Sequence, residues 1–512
     1  MPNWDWETMP DAEFEAVLEN TVAELPPEDI VTEVTPWRKA TDRVLFGMAL
    51  TSITFQFLYL HYILPAIGAV LVLLGFRALR RENKWFGYCF ALSVLQTASG
   101  WLWLILHTTI VPSIFYASSM EKVGTVVKLL MLLLMLICLR QGFLAVQRKA
   151  GLSPHAGGAV ALMVWYALLC LFAFMQYSGV LIVFMLIGYV CIIRNLFALS
   201  KELDAAGYAI QTAPNRITDR CVVGILALCL LVGGVCGYLF GGQYPMDWSM
   251  RNAAEHEEVK EIKAHLTSLG FPAEVLNDVC PEDIAACRDA LQVVVDTTVL
   301  PVQEGEETTP QYLSDKNPYR NSRKTVAGPG KLRFTDVGVQ IPGERERWMI
   351  FHHFLWTTSP GFFGAEAIQL WTPYMDPYAG WYAAGDVTGR VLYDRDGETF
   401  VADYYALGPQ TLPSNAFFWG SQIGTNMFAA FSMPGKGQRH RGYIAYSVDR
   451  MHKGNTFSSY YYYIHQQSRL QYPVQTAIEN KMNSFWTQNG AFRTFSGQLH
   501  FLSQEDGIEI FR

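Results

Sequence analysis

Residues 371–386, WTPYMDPYAGWYAAGD, combine aromatic rings with two carboxylates in a stretch rich in turn-forming residues. Exposed aromatic rings stack on flat sugar or peptide faces, and two nearby acids are the pair that a glycoside hydrolase uses. The alternative is that the rings pack in the core and at the rim of a β-domain. The residues of this candidate ligand site are Trp371, Tyr374, Asp376, Tyr378, Trp381 and Asp386.

The other polar motifs of this region favour structure over chemistry. His352 and His353 are neighbours on a predicted strand, so they point to opposite faces and cannot ligate one metal as a pair. The run DRDGE starts like a calcium loop but lacks the glutamate that closes one, so it predicts a hairpin with Asp396 and Gly397 at its tip. No nucleophile elbow, phosphate loop or zinc-protease motif is present in the sequence. We therefore expect no catalytic residue, metal or cofactor.

Cys280 and Cys287 are the only cysteines in the second half of the chain. Seven residues along a regular helix separate two Cα atoms by about 10 Å, which is beyond disulfide reach. A break at Pro281 would bring the two thiols together. The sequence leaves both the bridged and the free state open.

Seven apolar stretches between residues 43 and 241 approach the length of about 20 residues that a membrane span requires. All acids between these limits fall in loops or at span ends, so the sequence shows no intramembrane proton relay. The predicted spans are 43–60, 61–78, 86–107, 123–140, 157–175, 178–196 and 220–241.

Lysine and arginine occur in every second connection between these spans. They precede the first span and follow the second, fourth and sixth, whereas the intervening connections contain only Lys122. Positive residues near span ends are retained in the cytoplasm. We expect a multi-pass protein of the cell membrane with a cytoplasmic N-terminus and with residues 243–512 outside.

Three glycines at four-residue spacing, Gly233, Gly237 and Gly241, lie on the seventh predicted span. Such a stripe lets two helix backbones approach closely. The partner is either another helix of the same chain or the same helix of a second copy, which would make a homodimer.

The N-terminal residues 1–42 form an acidic arm, with ten acids and no base through Val34. Residues 11–25 predict a short amphipathic helix, and Trp37 follows near the start of the first span. One interpretation is a docking arm for a cytoplasmic protein with a basic face; the other is a solvated terminus. The docking residues would be Phe14, Val17, Leu18, Val22, Leu25 and Trp37.

The runs PPEDIVTEVTPWRKA, YILPAIG and GFRALRRENKWF resemble an uncharacterised family of bacterial polytopic membrane proteins. The resemblance continues into the second half of the chain but implies no established activity. In layout alone, the chain is similar to membrane-bound anti-sigma factors. Their zinc-binding type has a His and Cys motif in the arm, and here no cysteine precedes Cys89, so that type is absent.

The second half of the chain changes in character twice. Residues 243–302 predict a small helical module, and residues 303–330 are a polar linker. Residues 331–512 contain about seven β-prone runs separated by turn signals, which is typical of an antiparallel β-sandwich. The predicted fold is an α-helical membrane bundle of about seven spans, 43–241, plus an extracytoplasmic α+β region dominated by a β-sandwich-like domain.

The net charge of −7 provides no basic surface, so nucleic acid is not an expected partner. The expected partners are the lipid bilayer, the cytoplasmic protein at the arm and a second copy at the seventh span. The leading hypothesis is a non-enzymatic membrane protein for surface sensing or signal regulation. A cell-surface glycan-binding protein or hydrolase is the alternative, and a transporter or assembly subunit is the third.

Overall fold

The computed structural model describes residues 36–52, 59–116, 120–174, 181–206, 210, 217–251, 256–302, 330–371, 380–416, 420–451, 456–482, 490–504 and 507–511. The chain forms two compact units. The bundle unit comprises residues Met1–Leu102 and Gly124–Ala227, and the sheet unit comprises Trp103–Val123 and Leu228–Arg512.

The first half of the described chain is helical because its sequence consists of long apolar runs with few helix breakers. Five of its helices are long and apolar enough to cross a membrane: Leu60–Leu79, Lys84–Leu106, Val126–Lys149, Val183–Ala205 and Asp219–Phe240. The eight helices are α1 (Pro36–Ser52), α2 (Leu60–Leu79), α3 (Lys84–Leu106), α4 (Val111–Tyr116), α5 (Met120–Lys149), α6 (Gly157–Phe174), α7 (Leu181–Ala205) and α8 (Asp219–Phe240).

Two of the seven predicted spans are not among these five helices. The first, 43–60, begins within α1 and then enters residues 53–58, which lie outside the described residues. The fifth, 157–175, corresponds to α6, whose apolar part Gly157–Phe172 is a shorter helix. The composition and length of the five long helices identify a membrane protein.

Glycines bring α1 and α2 together. A Cβ atom on Gly47 would lie 2.6 Å from the carbonyl oxygen of Gly68, and one on Gly75 would lie 2.7 Å from that of Ala40. Such distances are too short for any side chain, so these positions permit the close backbone approach that holds helices together where apolar burial cannot.

Charged residues connect several helix ends of the bundle unit. At the start of α8, Asp219 accepts hydrogen bonds from Arg43 of α1 at 2.9 Å and from Arg77 of α2 at 3.3 Å. Lys149 at the end of α5 pairs at 2.8 Å with Glu82, which follows α2. The contacts bring the start of α1, the start of α8 and the ends of α2 and α5 to the same end of the bundle.

The sheet unit contains two antiparallel sheets. Sheet A has the strand order β1-β7-β6-β10-β4-β3-β2, and sheet B has the order β13-β12-β11-β5-β9-β8. The strands are β1 (Ser249–Met250), β2 (Gln292–Val302), β3 (Gly330–Ile341), β4 (Arg347–Thr358), β5 (Glu366–Leu370), β6 (Trp381–Arg395), β7 (Glu398–Asp403), β8 (Ala406–Ala416), β9 (Gly420–Phe431), β10 (Gln438–Arg450), β11 (Phe457–Gln466), β12 (Phe492–Gln504) and β13 (Gly507–Ile510).

One apolar core is shared by the two sheets. Phe334 and Ile350 of sheet A and Ala429, Tyr463 and Phe501 of sheet B are fully or almost fully buried in it. The β-prone runs of residues 331–512 each overlap a strand, and the described chain has four further strands there, β5, β8, β12 and β13. The predicted hairpin is also present, since Arg395 pairs with Glu398 across a turn.

A small helical module covers the other face of sheet A. It consists of α9 (Glu257–Ser268), α10 (Ala273–Asp278) and α11 (Pro281–Ala285). Its apolar residues, among them Ile262 and Val275, share a cluster with Phe351 and Tyr443 of the sheet. The middle of β4 is therefore buried on both faces. Residues 243–302, predicted to be helical, also include β1 and end in β2, which pairs with β3 along its whole length.

The last helix, α12 (Ala477–Met482), packs on sheet B through Ala477 and Ile478. It begins with a reciprocal cap: the Thr476 amide donates to the Glu479 carboxylate at 3.0 Å, and the Glu479 amide donates to the Thr476 hydroxyl at 3.3 Å. This capping box satisfies two amides that a helix start otherwise leaves without partners.

Candidate functional site

Four polar side chains meet in the core between the sheets. We call Asp336, His352, Tyr446 and Ser459 the inter-sheet polar cluster. Nδ1 of His352 lies 2.7 Å from Oδ1 of Asp336, and its Nε2 lies 2.8 Å from Oγ of Ser459. The hydroxyl of Tyr446 also hydrogen-bonds Ser459. A carboxylate, an imidazole and a serine hydroxyl in this order have the connectivity of a serine-hydrolase triad.

Strand pairing and sheet packing create the cluster. Asp336 on β3 is the direct cross-strand partner of His352 on β4, so both side chains project from the same face of sheet A. Ser459 comes from β11 in sheet B. The sequence separates His352 from Ser459 by more than a hundred residues, and no spacing in it relates the two.

Solvent cannot reach this cluster in the described structure. Asp336 is 3 % exposed, His352 1 %, and Tyr446 and Ser459 are fully buried. Burial raises the pKa of Asp336 above its ordinary value, although the hydrogen bond and the charge of His352 act in the opposite direction. A hydrolase needs its nucleophile open to substrate. Here the cluster instead satisfies buried polar groups and ties sheet A to sheet B.

A second buried polar group joins the helical module to sheet A. We call Asp278, Asp283, His353, Arg441 and Tyr443 the module latch. Asp278, at the end of α10, contacts Nε2 of His353 at 3.0 Å and accepts a hydrogen bond from Nε of Arg441 at 2.8 Å. Asp283 on α11 accepts a hydrogen bond from the Tyr443 hydroxyl at 2.7 Å.

The module latch keeps the carboxylate of Asp278 in the charged form. Burial by itself raises the pKa of Asp278, but the hydrogen bond and charge of His353, together with the charge of Arg441, outweigh it and leave the pKa below its ordinary value. Asp278 is 2 % exposed and Arg441 5 %. Breaking these contacts is costly, since His353 would lose its carboxylate partner and Arg441 would keep only Asp394, 2.9 Å away, as a carboxylate partner.

His352 and His353 point to opposite faces, as the sequence predicts. One enters the inter-sheet polar cluster and the other the module latch. Over the part of the chain that the structure covers, no group of three or more His, Cys, Asp or Glu side chains is arranged to hold a metal ion.

Three residues of the candidate ligand site lie in the described part of the chain, and they differ in exposure. Trp381 begins β6 and is 1 % exposed, with its ring against Phe457 and Phe501 in the shared core. Asp386 lies on the same strand and is exposed. Trp371 is 41 % exposed. The remaining three, Tyr374, Asp376 and Tyr378, lie outside the described residues.

Trp371 has aromatic neighbours that the sequence analysis missed. Its amide donates to the carbonyl of Tyr460 at 2.9 Å, and its ring lies 6.4 Å from that of Tyr462. Tyr460 is 39 % exposed and packs edge-on against His500. Exposed rings therefore do lie together, on β11 and beside it. The four consecutive tyrosines of FSSYYYYI are the signal that could have indicated this face, since alternate residues of a strand point to the same side.

Trp37 is fully buried in the core of the bundle unit. Its Nε1 donates to the carbonyl of Ser200 at 3.3 Å, and its ring packs against Phe86 and Phe143. A residue in this position stabilises the bundle and offers no surface to a partner. The other predicted docking residues, between Phe14 and Leu25, lie outside the described residues.

The glycine stripe of α8 contacts residues of its own chain. A Cβ atom on Gly233 would lie 2.6 Å from Ile105, and side chains on Gly237 and Gly241 would collide with Thr108 and Thr109. The amide of Ile110 donates to the carbonyl of Gly241 at 2.8 Å. The close approach that these glycines permit is used within the chain.

Cys280 and Cys287 are free thiols on either side of α11. Burial raises the pKa of Cys280 to about 11 and that of Cys287 to about 12. Both are therefore protonated and weakly nucleophilic near neutral pH.

No protein-family model matches this sequence. A search of the curated proteins gives no significant match either. Function must therefore be argued from the geometry described above.

Proposed function

We propose that this chain is a non-enzymatic, multi-pass membrane protein that senses conditions at the cell surface or regulates a signal. The observation that carries the proposal is the closure of the sheet unit. Its side chains with catalytic connectivity are sealed in the core, and its buried charges join the helical module to sheet A. In the proposed mechanism, an external signal shifts the helical module from the docked state seen here to a released state.

The proposed topology has seven spans, a cytoplasmic N-terminus and an extracytoplasmic sheet unit whose two sheets form a sandwich. Arg43, Arg77 and Lys149 belong to connections that the charge bias assigns to the cytoplasm. Their contacts with Asp219 and Glu82 gather these connections at the same end of the bundle, which supports the assignment. The shared apolar core supports the sandwich.

The acidic arm is the proposed output. Its charge is repelled by the anionic inner leaflet, so the arm projects toward soluble proteins. A partner with a basic face would gain from the ten acids and from the apolar stripe containing Phe14 and Leu18. The partner class includes a transcription factor held in the manner of an anti-sigma factor.

Alanine replacement of both Phe14 and Leu18 should abolish partner capture. The full chain in lipid nanodiscs is incubated with cytosolic extract at low and at high salt, and retained proteins are identified by mass spectrometry. We expect one basic protein to be retained at low salt, with at least about tenfold less retained by the variant, since losing two apolar contacts costs more than 1.4 kcal/mol.

The matched control replaces Ala16 with serine and Asn20 with alanine, on the opposite side of the predicted helix. Trp37 is left intact because its loss would disturb the bundle core. Equal capture by the wild type and the Phe14, Leu18 variant would contradict the docking role of the arm.

Two observations favour a second candidate, a surface glycan-binding protein or hydrolase. Trp371 and Tyr460 offer partly exposed rings for sugar stacking. The connectivity Asp336–His352–Ser459 would serve acyl transfer if the sheets opened.

A fluorophosphonate probe distinguishes the leading proposal from a serine hydrolase. The probe reacts with an activated, accessible serine, and Ser459 is fully buried. We expect no adduct at Ser459 in the full chain in nanodiscs, as read by peptide mass spectrometry. An adduct on the wild type that disappears in both Ser459→Ala and His352→Gln would instead establish the hydrolase.

A further inference from the structure

Loop 468–472, between β11 and α12, is bound to the ends of two membrane helices. The hydroxyl of Tyr238 donates to the carbonyl of Gln471 at 2.7 Å, and the hydroxyl of Tyr472 donates to the carbonyl of Leu104 at 3.3 Å. Tyr238 and Leu104 each lie two residues before the last residue of their helix, α8 or α3. At 1.5 Å per residue, the loop lies about 3 Å from the ends of the spans.

This depth corresponds to the boundary between hydrocarbon and headgroups. Trp103, Tyr238 and Tyr472 all occur there, and tryptophan and tyrosine concentrate at membrane interfaces because one end of each ring system is apolar and the other forms hydrogen bonds. The amide of Val474 further fixes the chain by donating to the carbonyl of His107 at 2.7 Å. The loop is therefore held at the membrane surface by backbone contacts.

Leu470 is the apolar residue of this loop whose side chain is exposed. It is 83 % exposed, as is Phe240 at the end of α8, and Leu239 is 59 % exposed. Leu239 and Phe240 end a helix that is long and apolar enough to cross a membrane, where exposed apolar side chains contact lipid. Leu470, adjacent in sequence to the Gln471 that Tyr238 holds, is at the same level, so its exposed side chain has acyl chains within reach.

Arg469 places a positive charge beside this leucine. Its guanidinium lies 4.9 Å from the centre of the Phe362 ring, and no carboxylate in the described chain pairs with it. Arg469 and Phe362 line a cavity of about 70 Å³, whose other lining residues include Thr108, Gln243 and Gln466. An arginine at the lipid boundary keeps its charge in the polar layer, where phosphate groups accept its hydrogen bonds.

We propose that loop 468–472 is a lipid-binding site of the sheet unit. Leu470 enters the acyl-chain boundary, and Arg469 binds the phosphate of a phospholipid headgroup. The site goes beyond the proposed signalling role, because it would fix the end of β11 in sheet B to the membrane surface whatever the arm binds.

Photo-crosslinking tests the position of Leu470. The full chain carries p-benzoylphenylalanine at position 470 in nanodiscs of phosphatidylcholine and phosphatidylglycerol, and lipid adducts are identified by mass spectrometry after irradiation. Position 291 is the control, since Leu291 is 58 % exposed in the same unit but far from this loop in sequence. We expect lipid adducts at 470 and only background at 291. Equal yields at the two positions would overturn the proposal.

Arg469→Gln tests the headgroup contact in the same experiment. One arginine at a charged membrane surface changes lipid preference by about fivefold. We expect the share of phosphatidylglycerol among adducts at 470 to fall by about that factor, and to stay unchanged in Arg395→Gln, a control at the exposed hairpin tip. Adducts of unchanged composition in Arg469→Gln would overturn the role of the arginine.

Discussion

Replacing Asp278 with alanine is expected to release the helical module from sheet A. The side chains of His353 and Arg441 are at most 6 % exposed, and both contact this carboxylate. Removing one partner of a buried charge pair typically costs about 3–5 kcal/mol, and the cost here lies toward the lower end because Arg441 keeps Asp394, 2.9 Å away, as a second partner. The release should appear as about 100- to 1,000-fold faster amide exchange in α9, α10 and α11, as each 1.4 kcal/mol is a factor of ten.

Hydrogen exchange with mass spectrometry measures this effect on the full chain in nanodiscs. Glu274→Ala is the matched control on the same helix. Glu274 bridges Arg333 and Arg439, but its side chain is 38 % exposed, so its loss should cost about 1 kcal/mol or less. If amide exchange in the helical module is equally slow in the Asp278 and Glu274 variants, the module latch does not hold the module on sheet A.

The sign of the pH dependence follows from the lowered pKa of Asp278. The unfolded carboxyl, with a pKa of about 3.9, binds a proton before the folded one does as the pH falls. The stabilisation is therefore complete above that value and is lost as the pH falls through the folded pKa. In thermal melts between about pH 5 and pH 3, Asp278→Asn should show a weaker loss of stability than the wild type. Asp336, with its raised pKa, acts in the opposite direction and remains present in both proteins.

Trp381→Ala is expected to destabilise the sheet unit rather than remove a ligand contact alone. The side chain is 1 % exposed in the shared core, and truncating a buried tryptophan costs about 3–5 kcal/mol. For a unit of this size, the melting temperature should fall by about 10 °C. Differential scanning fluorimetry of the full chain measures the shift.

Trp371→Ala is the matched comparison, since this tryptophan is 41 % exposed. A surface substitution of this kind changes stability by about 0.5 kcal/mol or less. Should the sheet unit bind glycans, binding to cell-wall fragments would be lost in Trp371→Ala without a change in melting temperature. An unchanged melting temperature in Trp381→Ala would contradict the placement of that ring in the core.

Much of the fold follows from local sequence signals. The β-prone runs of residues 331–512 predict their strands because turn residues separate them. DRDGE predicts its hairpin because Asp-Gly favours a tight turn, and Asp396 and Gly397 both have the positive φ angles of such a turn. Strand β2 was missed since its run, QVVVDTTVLPV, directly follows three short helices and pairs only after residues 303–329. The sequence therefore predicts the position of a strand better than it predicts which strand it pairs with.

The polar clusters were beyond prediction for a related reason. The alternation of a strand places His352 and His353 on opposite faces, but it does not say what each face meets. Asp278 and Ser459 reach the two histidines through the packing of a helix and of a second sheet. Trp37 illustrates the same limit: its position beside Arg38 and Lys39 suggests an interface, whereas the packing of the bundle unit encloses it.

The pairing of β2 with β3 has a practical consequence for handling this protein. Val302 and Gly330 are cross-strand partners, so the two residues that flank the connection 303–329 lie beside each other in sheet A. A peptide bond cut between them separates the chain into a membrane-bound fragment and a fragment with the remaining strands, yet the ladder of β2 and β3 continues to join the two. We therefore expect two separately expressed pieces, divided within this connection, to reassemble through the ladder of β2 and β3.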